Sequence, residues 1–97
     1  MGSDDSEPLT NAERRIERIE RQFSPLNGSH RNLEQMIKAA MNDPDSYEHV
    51  NTGYVDDGDT IRVQTVYRGR NGFGGIVTER VTARVSMGGE VLEILEQ

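Results

Sequence analysis

The fold is decided by one continuous stretch, residues 60–85, which reads TIRVQTVYRGRNGFGGIVTERVTARV. On each side of its centre, apolar and polar residues alternate with a period of two, as they do in strands that bury one face. Asn71-Gly72, between the two runs, is a dipeptide typical of hairpin turns. The stretch therefore predicts an antiparallel hairpin, and the side chains on its inner face are Ile61, Val63, Thr65 and Tyr67, followed by Val77, Val81, Ala83 and Val85.

The middle of this stretch, YRGRNGFGG at residues 67–75, also has the glycine content of a phosphate-binding loop. Such a loop places its glycines where a strand turns into a helix, because the N–H groups of the helix then meet the anion. The glycines here match neither common phosphate-loop spacing, and a strand pattern follows them. We therefore interpret the stretch as a hairpin loop, although its seven residues from Gly69 to Gly75 exceed the usual two to five.

Phe73 is an unusual residue for such a loop, and two positions are open to it. If it points outward, Phe73 with Arg70 beside it has the residue chemistry of an interface anchor. If it folds back, it fills the end of a core that has few other aromatic residues to complete it. The second position is the one that we expect. Arg70 and Phe73 are the candidate loop contacts if the first position holds.

Strand patterns continue on both sides of the hairpin. SYEHVNTGYV, residues 46–55, predicts a preceding strand with Gly53 as a candidate bulge, and an Asp-Gly turn follows at residues 56–59. After the hairpin, a turn at residues 88–90 leads into a short last strand, VLEIL. Four successive strands with short turns predict an antiparallel meander.

Two helices are predicted before the strands. The first has a capping-box signature in Thr10 and Glu13, and it continues into a narrow apolar stripe of Ile16, Ile19 and Phe23. The second begins after Ser29, which we expect to be its N-cap, and has on one face Leu33, Met36, Ile37, Ala40 and Met41. The predicted fold class is therefore α+β: two N-terminal helices packed on a four-stranded antiparallel meander sheet, in the order ααββββ.

The length of 97 residues fits one domain. Residues 1–9, MGSDDSEPL, are polar and acidic and predict a disordered tail or a cloning remnant. That leaves residues 10–97 as a single α+β domain. No run approaches the roughly 18 apolar residues that a membrane span needs. The sequence therefore predicts a soluble domain without a membrane span, located in the cytoplasm or exported after removal of a leader.

The chain carries little that resembles catalytic or metal chemistry. It has no cysteine, which excludes disulfides and thiolate sites. Its two histidines, His30 and His49, are nineteen residues apart, which is a weak metal signal. A triad can be written from Ser29, His49 and Asp43, but no motif positions these residues. We expect no catalytic residues, no metal and no cofactor.

The net charge of −6 is unevenly distributed. Between residues 61 and 87, five arginines stand against one glutamate, which gives +4 and leaves −10 for the rest of the chain. Four of these arginines share the outer face of the predicted sheet by strand parity: Arg62, Arg68, Arg80 and Arg84. This face is either a solvated surface, neutralised by Glu79, Glu93 or the acidic tail, or a binding face for an anion.

The function that we expect from these observations is a non-enzymatic domain that binds a protein. The alternative is binding of an anionic ligand or a nucleic acid through the arginine face, for which the bulk charge is unfavourable. A small hydrolase is a third and weaker interpretation, because nothing positions a nucleophile and a base.

Several short segments resemble a family of small bacterial and prophage-associated hypothetical proteins. The likeness covers roughly residues 22–95 and depends on GSHR at residues 28–31, MNDPDSYEHV at residues 41–50 and YRGRNGFGG at residues 67–75. The resemblance implies a shared fold and no site, because no activity is assigned to that family. Some of its members look secreted or lipid-anchored, so the resemblance leaves the localisation open.

Overall fold

The structure is a computed structural model that describes residues 9–97. The predicted tail at residues 1–9 therefore lies, except for Leu9, outside the described residues. The elements are two helices, a 3-10 turn at Pro44–Ser46 between the helices and the sheet, and four strands: α1 (Asn11–Glu20), α2 (Arg31–Ala40), β1 (Glu48–Asp56), β2 (Thr60–Arg70), β3 (Ile76–Ser86) and β4 (Val91–Glu96). The strands form one antiparallel sheet in the order β1-β2-β3-β4, which confirms the predicted ααββββ fold.

The β2–β3 hairpin pairs over the whole length of both strands, from Thr60 opposite Ser86 to Arg70 opposite Ile76. A strand begins at Ile76, where a phosphate-binding loop would need a helix, so the hairpin interpretation is confirmed. The inner face is buried in the half of the hairpin near Thr60. Its buried residues are Ile61, Val63, Thr65, Val81, Ala83 and Val85.

The helices cover only part of the inner face of the sheet. α1 and α2 have ten residues each, which corresponds to about 15 Å of helix. β2 and β3 have eleven residues each, which corresponds to about 35 Å of strand. The core lies where the two layers overlap, and the helices contribute Ile19, Leu33 and Ile37 to it. The β2–β3 hairpin therefore extends beyond the core.

The apolar stripes that the sequence predicts on the helices are only partly buried. Ile19 of α1 and Leu33 and Ile37 of α2 are in the core. Ile16 and Met36, which belong to the same two stripes, are 47% and 44% exposed. Each helix therefore packs on the sheet along a narrower line than its sequence pattern suggests.

α1 is fixed by a cap at its start and by an ion pair to the sheet. The predicted capping box is present: the Thr10 hydroxyl accepts a hydrogen bond of 3.1 Å from the Glu13 N–H. The Glu13 carboxylate in turn accepts one of 2.8 Å from the Thr10 N–H. Arg15 donates two hydrogen bonds of 2.7 Å to the carboxylate of Asp56, at the end of β1. The Arg15 guanidinium holds the pKa of Asp56 below its ordinary value.

α2 has His30 as its N-cap, whereas the sequence predicted Ser29. Nδ1 of His30 accepts a hydrogen bond of 3.2 Å from the Leu33 N–H. The other ring nitrogen, Nε2, therefore carries the proton and donates to the side-chain oxygen of Gln22 at 2.8 Å. The ring is 1% exposed and packs edge-on against Phe23. Neutral imidazole can serve as this buried cap because its one acceptor and its one donor are both used.

The bulge in β1 lies at Val50 and not at Gly53, as the sequence predicted. The register between β1 and β2 shifts between His49 and Asn51, while Gly53 stays in the regular ladder. The extra residue brings His49 and Thr52 to the same face of the sheet. Nε2 of His49 consequently lies 2.7 Å from the Thr52 hydroxyl.

The segment that follows α2 is tied to β2 near the hairpin tip. The Ser46 hydroxyl accepts a hydrogen bond of 2.8 Å from the Arg70 N–H, and the Arg70 guanidinium lies 3.4 Å from the Asp43 carboxylate. The methyl group of Met41 packs over Gly69, where a Cβ would displace this flexible side chain. These contacts place the end of α2 beside the half of the hairpin that contains its tip.

Candidate functional site

The tip of the β2–β3 hairpin, residues 71–75, is a loop built around the side chain of Asn71. Its Oδ1 accepts hydrogen bonds from the backbone N–H groups of Phe73 and Gly75, both at 2.9 Å. The Asn71 N–H donates to the carbonyl of Gly75 at 2.8 Å, and the Gly74 N–H donates to the carbonyl of Asn71 at 3.0 Å. Four hydrogen bonds within such a short loop hold the tip in one shape.

The chain reverses one residue later than the sequence predicted, at Gly72 and Phe73. The residue with a left-handed backbone is Gly74, with a φ of 86°. A hairpin turn centred on Asn71-Gly72 would need positive φ angles at those two positions instead. The loop is also shorter than the seven residues expected, because Gly69 belongs to β2. Phe73 therefore stands at the apex of a five-residue loop of ordinary length.

Phe73 is 98% exposed, so the expectation that it fills the end of the core is wrong. The physical reason is the difference in length between the two layers. The helices end before the hairpin tip, and no core lies there for the ring to enter. Ile76, which is 65% exposed, pairs with Arg70 at the base of the loop. The tip thus presents an aromatic and an aliphatic side chain with a guanidinium beside them.

A partly apolar cleft of about 330 Å³ lies between α2 and the part of the sheet that the helices leave uncovered. Its apolar lining comes from Leu33, Met36, Ile37, Ala40, Met41, Tyr67, Val77, Val81 and Ile94. Polar and charged groups are added by Asn42, Arg70, Asn71, Glu79 and Gln97. Ile94 is 36% exposed although it pairs with the buried Ala83 on the inner face of the sheet, and Met36 of α2 is 44% exposed. The cleft is a consequence of packing a short α2 on long strands.

Sequence reasoning missed this cleft, and Glu79 is the signal that could have revealed it. Glu79 shares strand parity with Val77 and Val81, so it faces the helix side, where a covered sheet would carry an apolar residue. It is exposed and lines the cleft. Burial, and the nearby Glu79 carboxylate, raise the pKa of Tyr67. A carboxylate at an inward position indicates that solvent reaches this part of the sheet.

The outer face of the sheet, opposite the helices, carries the four arginines that the sequence placed there: Arg62, Arg68, Arg80 and Arg84. Arg62 and Arg84 are direct cross-strand partners. Like charges in that position repel each other unless carboxylates neutralise them.

Neighbouring carboxylates neutralise most of the charge on this face. The ion pairs are Arg62 with Asp57 at 2.7 Å, Arg68 with Glu48 at 3.9 Å, and Arg84 with Glu93. Glu79, also considered as a counterion, faces the other side of the sheet. Of the four arginines, only Arg80 has no ion-pair partner within residues 9–97. The pairs are exposed, so each of them contributes little to stability.

The outer face offers no aromatic surface among the described residues. Phe23 packs on His30 and Tyr54, Tyr47 stacks on Tyr67, and all of these rings belong to the helix side. Proteins that hold single-stranded nucleic acids generally stack bases on aromatic side chains. The arrangement therefore favours a solvated face over a nucleic-acid site.

The residues considered for catalysis are not brought together. Ser29 precedes α2 and Asp43 follows it, so about 15 Å of helix lies between them. Across residues 9–97, no group of three His, Cys, Asp or Glu side chains could hold a metal ion. Over the same range, no helix has the length and apolar character to cross a membrane. The features that remain as a candidate site are the hairpin tip and the cleft beside it.

Comparisons of the chain with family models, with curated proteins and with solved structures give no match. The resemblance to small bacterial and prophage-associated proteins stays a prediction. The candidate site is defined by its geometry alone.

Proposed function

We propose that the chain is a non-enzymatic protein-interaction domain that contacts its partner through the tip of the β2–β3 hairpin, residues 71–75. The observation that supports this proposal is the 98% exposure of Phe73 on a loop with its own hydrogen-bond framework. Exposing apolar surface to water costs about 25 cal/mol per Å². A loop that only reversed the chain would be better served by a polar residue at this position.

The tip has the properties of an effective anchor. A phenylalanine side chain can bury about 150–250 Å² in a partner, and aromatic residues are enriched at the centres of interfaces. The side chain of Asn71 already fixes the loop, so binding loses little conformational entropy there. Ile76 adds apolar area next to Phe73, and Arg70 can contribute polar contacts at the rim.

We expect Phe73→Ser to abolish binding of the partner while leaving the free energy of unfolding within about 0.5 kcal/mol of the wild-type value. The ring lies outside the core, so its removal opens no cavity. Urea unfolding measures the stability. Binding is measured in cell extract with benzoylphenylalanine, a photo-crosslinking amino acid. At position 73 of the otherwise unchanged chain, we expect it to form a discrete crosslinked species. At position 76, which is exposed beside the loop, it reports binding both in the wild-type background and in Phe73→Ser.

Leu26 provides the matched control, because it is 94% exposed and lies in the loop between the helices. Benzoylphenylalanine at position 26 is expected to give no discrete product, and Leu26→Ser is expected to leave binding intact. Equal crosslinking from positions 26 and 73 would contradict the proposal. So would a Phe73→Ser protein that unfolds as easily as a core variant.

A second candidate function is the binding of an anionic ligand or a nucleic acid on the arginine face. It is supported by Arg80, which has no ion-pair partner within the part of the chain that is described. It is also supported by the weakness of exposed ion pairs, which an anion can displace. The neutralising carboxylates and the absence of aromatic residues on the described part of this face make it the weaker candidate.

In an NMR titration with heparin, we expect weak, concerted shifts of the amides of the four arginines at low salt. These shifts should disappear near 0.15 M salt, where the Debye length falls to about 8 Å. Heparin binding that survives at that salt concentration would make this face the main site. Shifts scattered over the helices, or none at low salt, would remove this candidate.

A further inference from the structure

We propose that the partner of the hairpin tip is a second copy of the chain, and that its cleft between α2 and the sheet receives Phe73. This inference rests on the proposed function, because it takes the tip to be a protein contact and specifies the protein. Two features of one chain complement each other. Phe73 is an apolar side chain outside the core, and the cleft has an apolar wall, edged by polar and charged residues, that the helices do not cover.

The cleft has the size and the lining that a phenyl ring requires. A cavity of about 150 Å³ is large enough to hold benzene. The cleft measures about 330 Å³, so one ring fits together with part of the loop that carries it. Its wall includes the thioethers of Met36 and Met41 and the ring of Tyr67. Thioether sulfur and aromatic rings both make favourable contacts with an incoming ring.

The charges near the cleft allow Phe73 of a second copy to enter it. The charges along β4 disfavour the other way in which two copies could associate, through the edges of their sheets. The loop at residues 71–75 has no charged residue, so Glu79 and Arg70 in the cleft lining do not repel it. The alternative is edge-to-edge pairing of β4 with its counterpart. That pairing would bring together two copies of Glu90 and Glu96, which lie beside and in this edge strand, whereas Glu93 is paired with Arg84.

The positions of Phe73 and the cleft suit a closed dimer. Gly69, Asn71 and Val77 line the cleft and lie within four residues of Phe73, which is at most about 14 Å of extended chain. A two-fold axis beside the hairpin would therefore place each Phe73 at the cleft of the other protomer. Both contacts would then be identical, as in most homodimers.

The dimer is expected to be weak. Two phenylalanine side chains bury about 300–500 Å², and the cleft surface that they cover brings the total to roughly 600–1,000 Å². Stable interfaces bury about 1,200 Å² or more. The association should therefore be followed from about 10 μM to about 1 mM protein, the range suited to small, transient interfaces.

Three methionines of the chain provide a direct probe. Met36 and Met41 line the cleft, whereas Met87 lies at the opposite end of the sheet, in the turn between β3 and β4. In ¹³C-methyl NMR spectra, raising the protein concentration is expected to shift the Met36 and Met41 signals upfield, because the ring of the incoming Phe73 shields them. The Met87 signal should not move. Sedimentation should show a mass rising from 10.9 kDa toward twice that value.

Separate variants remove each half of the contact. Phe73→Ser removes the ring, and Ala40→Arg blocks the cleft at an exposed position of α2. Each variant alone is expected to stay monomeric over the whole concentration range. Their equimolar mixture retains one intact ring and one intact cleft, so it should associate, about tenfold or more weakly than the wild type. Phe73→Leu should associate without the upfield shift, since leucine has no ring current.

The outcomes separate this inference from the proposed function. Wild-type methionine signals that do not move up to 1 mM overturn the second-copy inference, and a different protein crosslinked to position 73 would then preserve the proposed function. Association that persists in Phe73→Ser also overturns the inference. Oligomers that keep growing with concentration indicate head-to-tail contacts and overturn the closed dimer. If position 73 crosslinks to nothing and the chain stays monomeric, both proposals fail.

Discussion

Replacing Ile37 with alanine is expected to lower the free energy of unfolding by about 2–5 kcal/mol, as happens when a buried aliphatic side chain leaves a cavity. Ile37 is 6% exposed and packs in the core that α2 forms with the sheet. The total stability of a domain of this size is about 5–15 kcal/mol, so this loss is a large share of it. Urea unfolding followed by circular dichroism measures the change.

Met36→Ala is the matched control, because Met36 is the preceding residue on the same helix. It is 44% exposed in the wall of the cleft, and we expect its truncation to cost less than about 1 kcal/mol. The contrast between the two variants tests the position of α2 on the sheet. If Met36→Ala costs as much as Ile37→Ala, α2 is rotated toward the uncovered strands and the cleft is filled by the chain itself.

The sheet could be predicted from the sequence because apolar and polar residues alternate along its strands. This alternation allows only one assignment of side chains to the buried and the exposed face. In residues 60–85, only one choice of face buries Ile61, Val63 and Val85 together, and a shift of one residue would bury arginines instead. The meander order follows from the short turns, which leave successive strands no choice but to pair with each other. These are local properties, so one sequence was sufficient for them.

The exposure of the hairpin tip and the presence of the cleft could not be predicted from the sequence. Both depend on where the short helices lie along the longer strands. The position of α2 along the sheet is set by contacts between distant parts of the chain, such as Met41 against Gly69 and Ser46 with Arg70. The alternation of apolar and polar residues in a strand shows which face of the sheet is inward. It does not show how much of that face the helices cover. The sequence does not show where the core ends, so the pattern alone cannot tell that Phe73 lies beyond it.

The N-cap of α2 was missed for a different reason. Cap preferences favour serine, and Ser29 stands where a cap is needed. The preceding segment, however, brings Gln22 and Phe23 against the ring of His30, so the imidazole is buried with a partner for each nitrogen. Tertiary burial outweighs the local preference here, and it gives this histidine an unusual acid–base behaviour.

Lowering the pH from about 6.5 to about 4 is expected to cost about 3 kcal/mol of stability through His30 alone. Burial lowers the pKa of His30 from 6.5 to about 4 in the folded protein. Well above pH 6.5 the ring is neutral in both the folded and the unfolded states, so it adds no pH dependence there. Below that pH the unfolded chain takes up a proton that the folded chain does not, and stability falls until about pH 4.

His30→Asn isolates this contribution from that of the carboxylates, which both proteins share. Asparagine is a good N-cap and can still accept a hydrogen bond from the Leu33 N–H. The variant should be less stable than the wild type at pH 7, because it loses the ring that packs on Phe23. That difference should shrink by about 3 kcal/mol between pH 7 and pH 4.

The imidazole resonances provide an independent readout, and they distinguish the two possible caps. If His30 is the buried cap, its ring protons should not titrate between pH 7 and pH 5. Ser29→Ala should then cost less than the roughly 1 kcal/mol that is lost with a helix cap. If His30 instead titrates near pH 6.5 and Ser29→Ala costs a full cap, the ring is in water and serine caps the helix. That result would contradict the hydrogen bonds of His30 with Gln22 and Leu33. It would also contradict the assignment of His30 as the residue before α2.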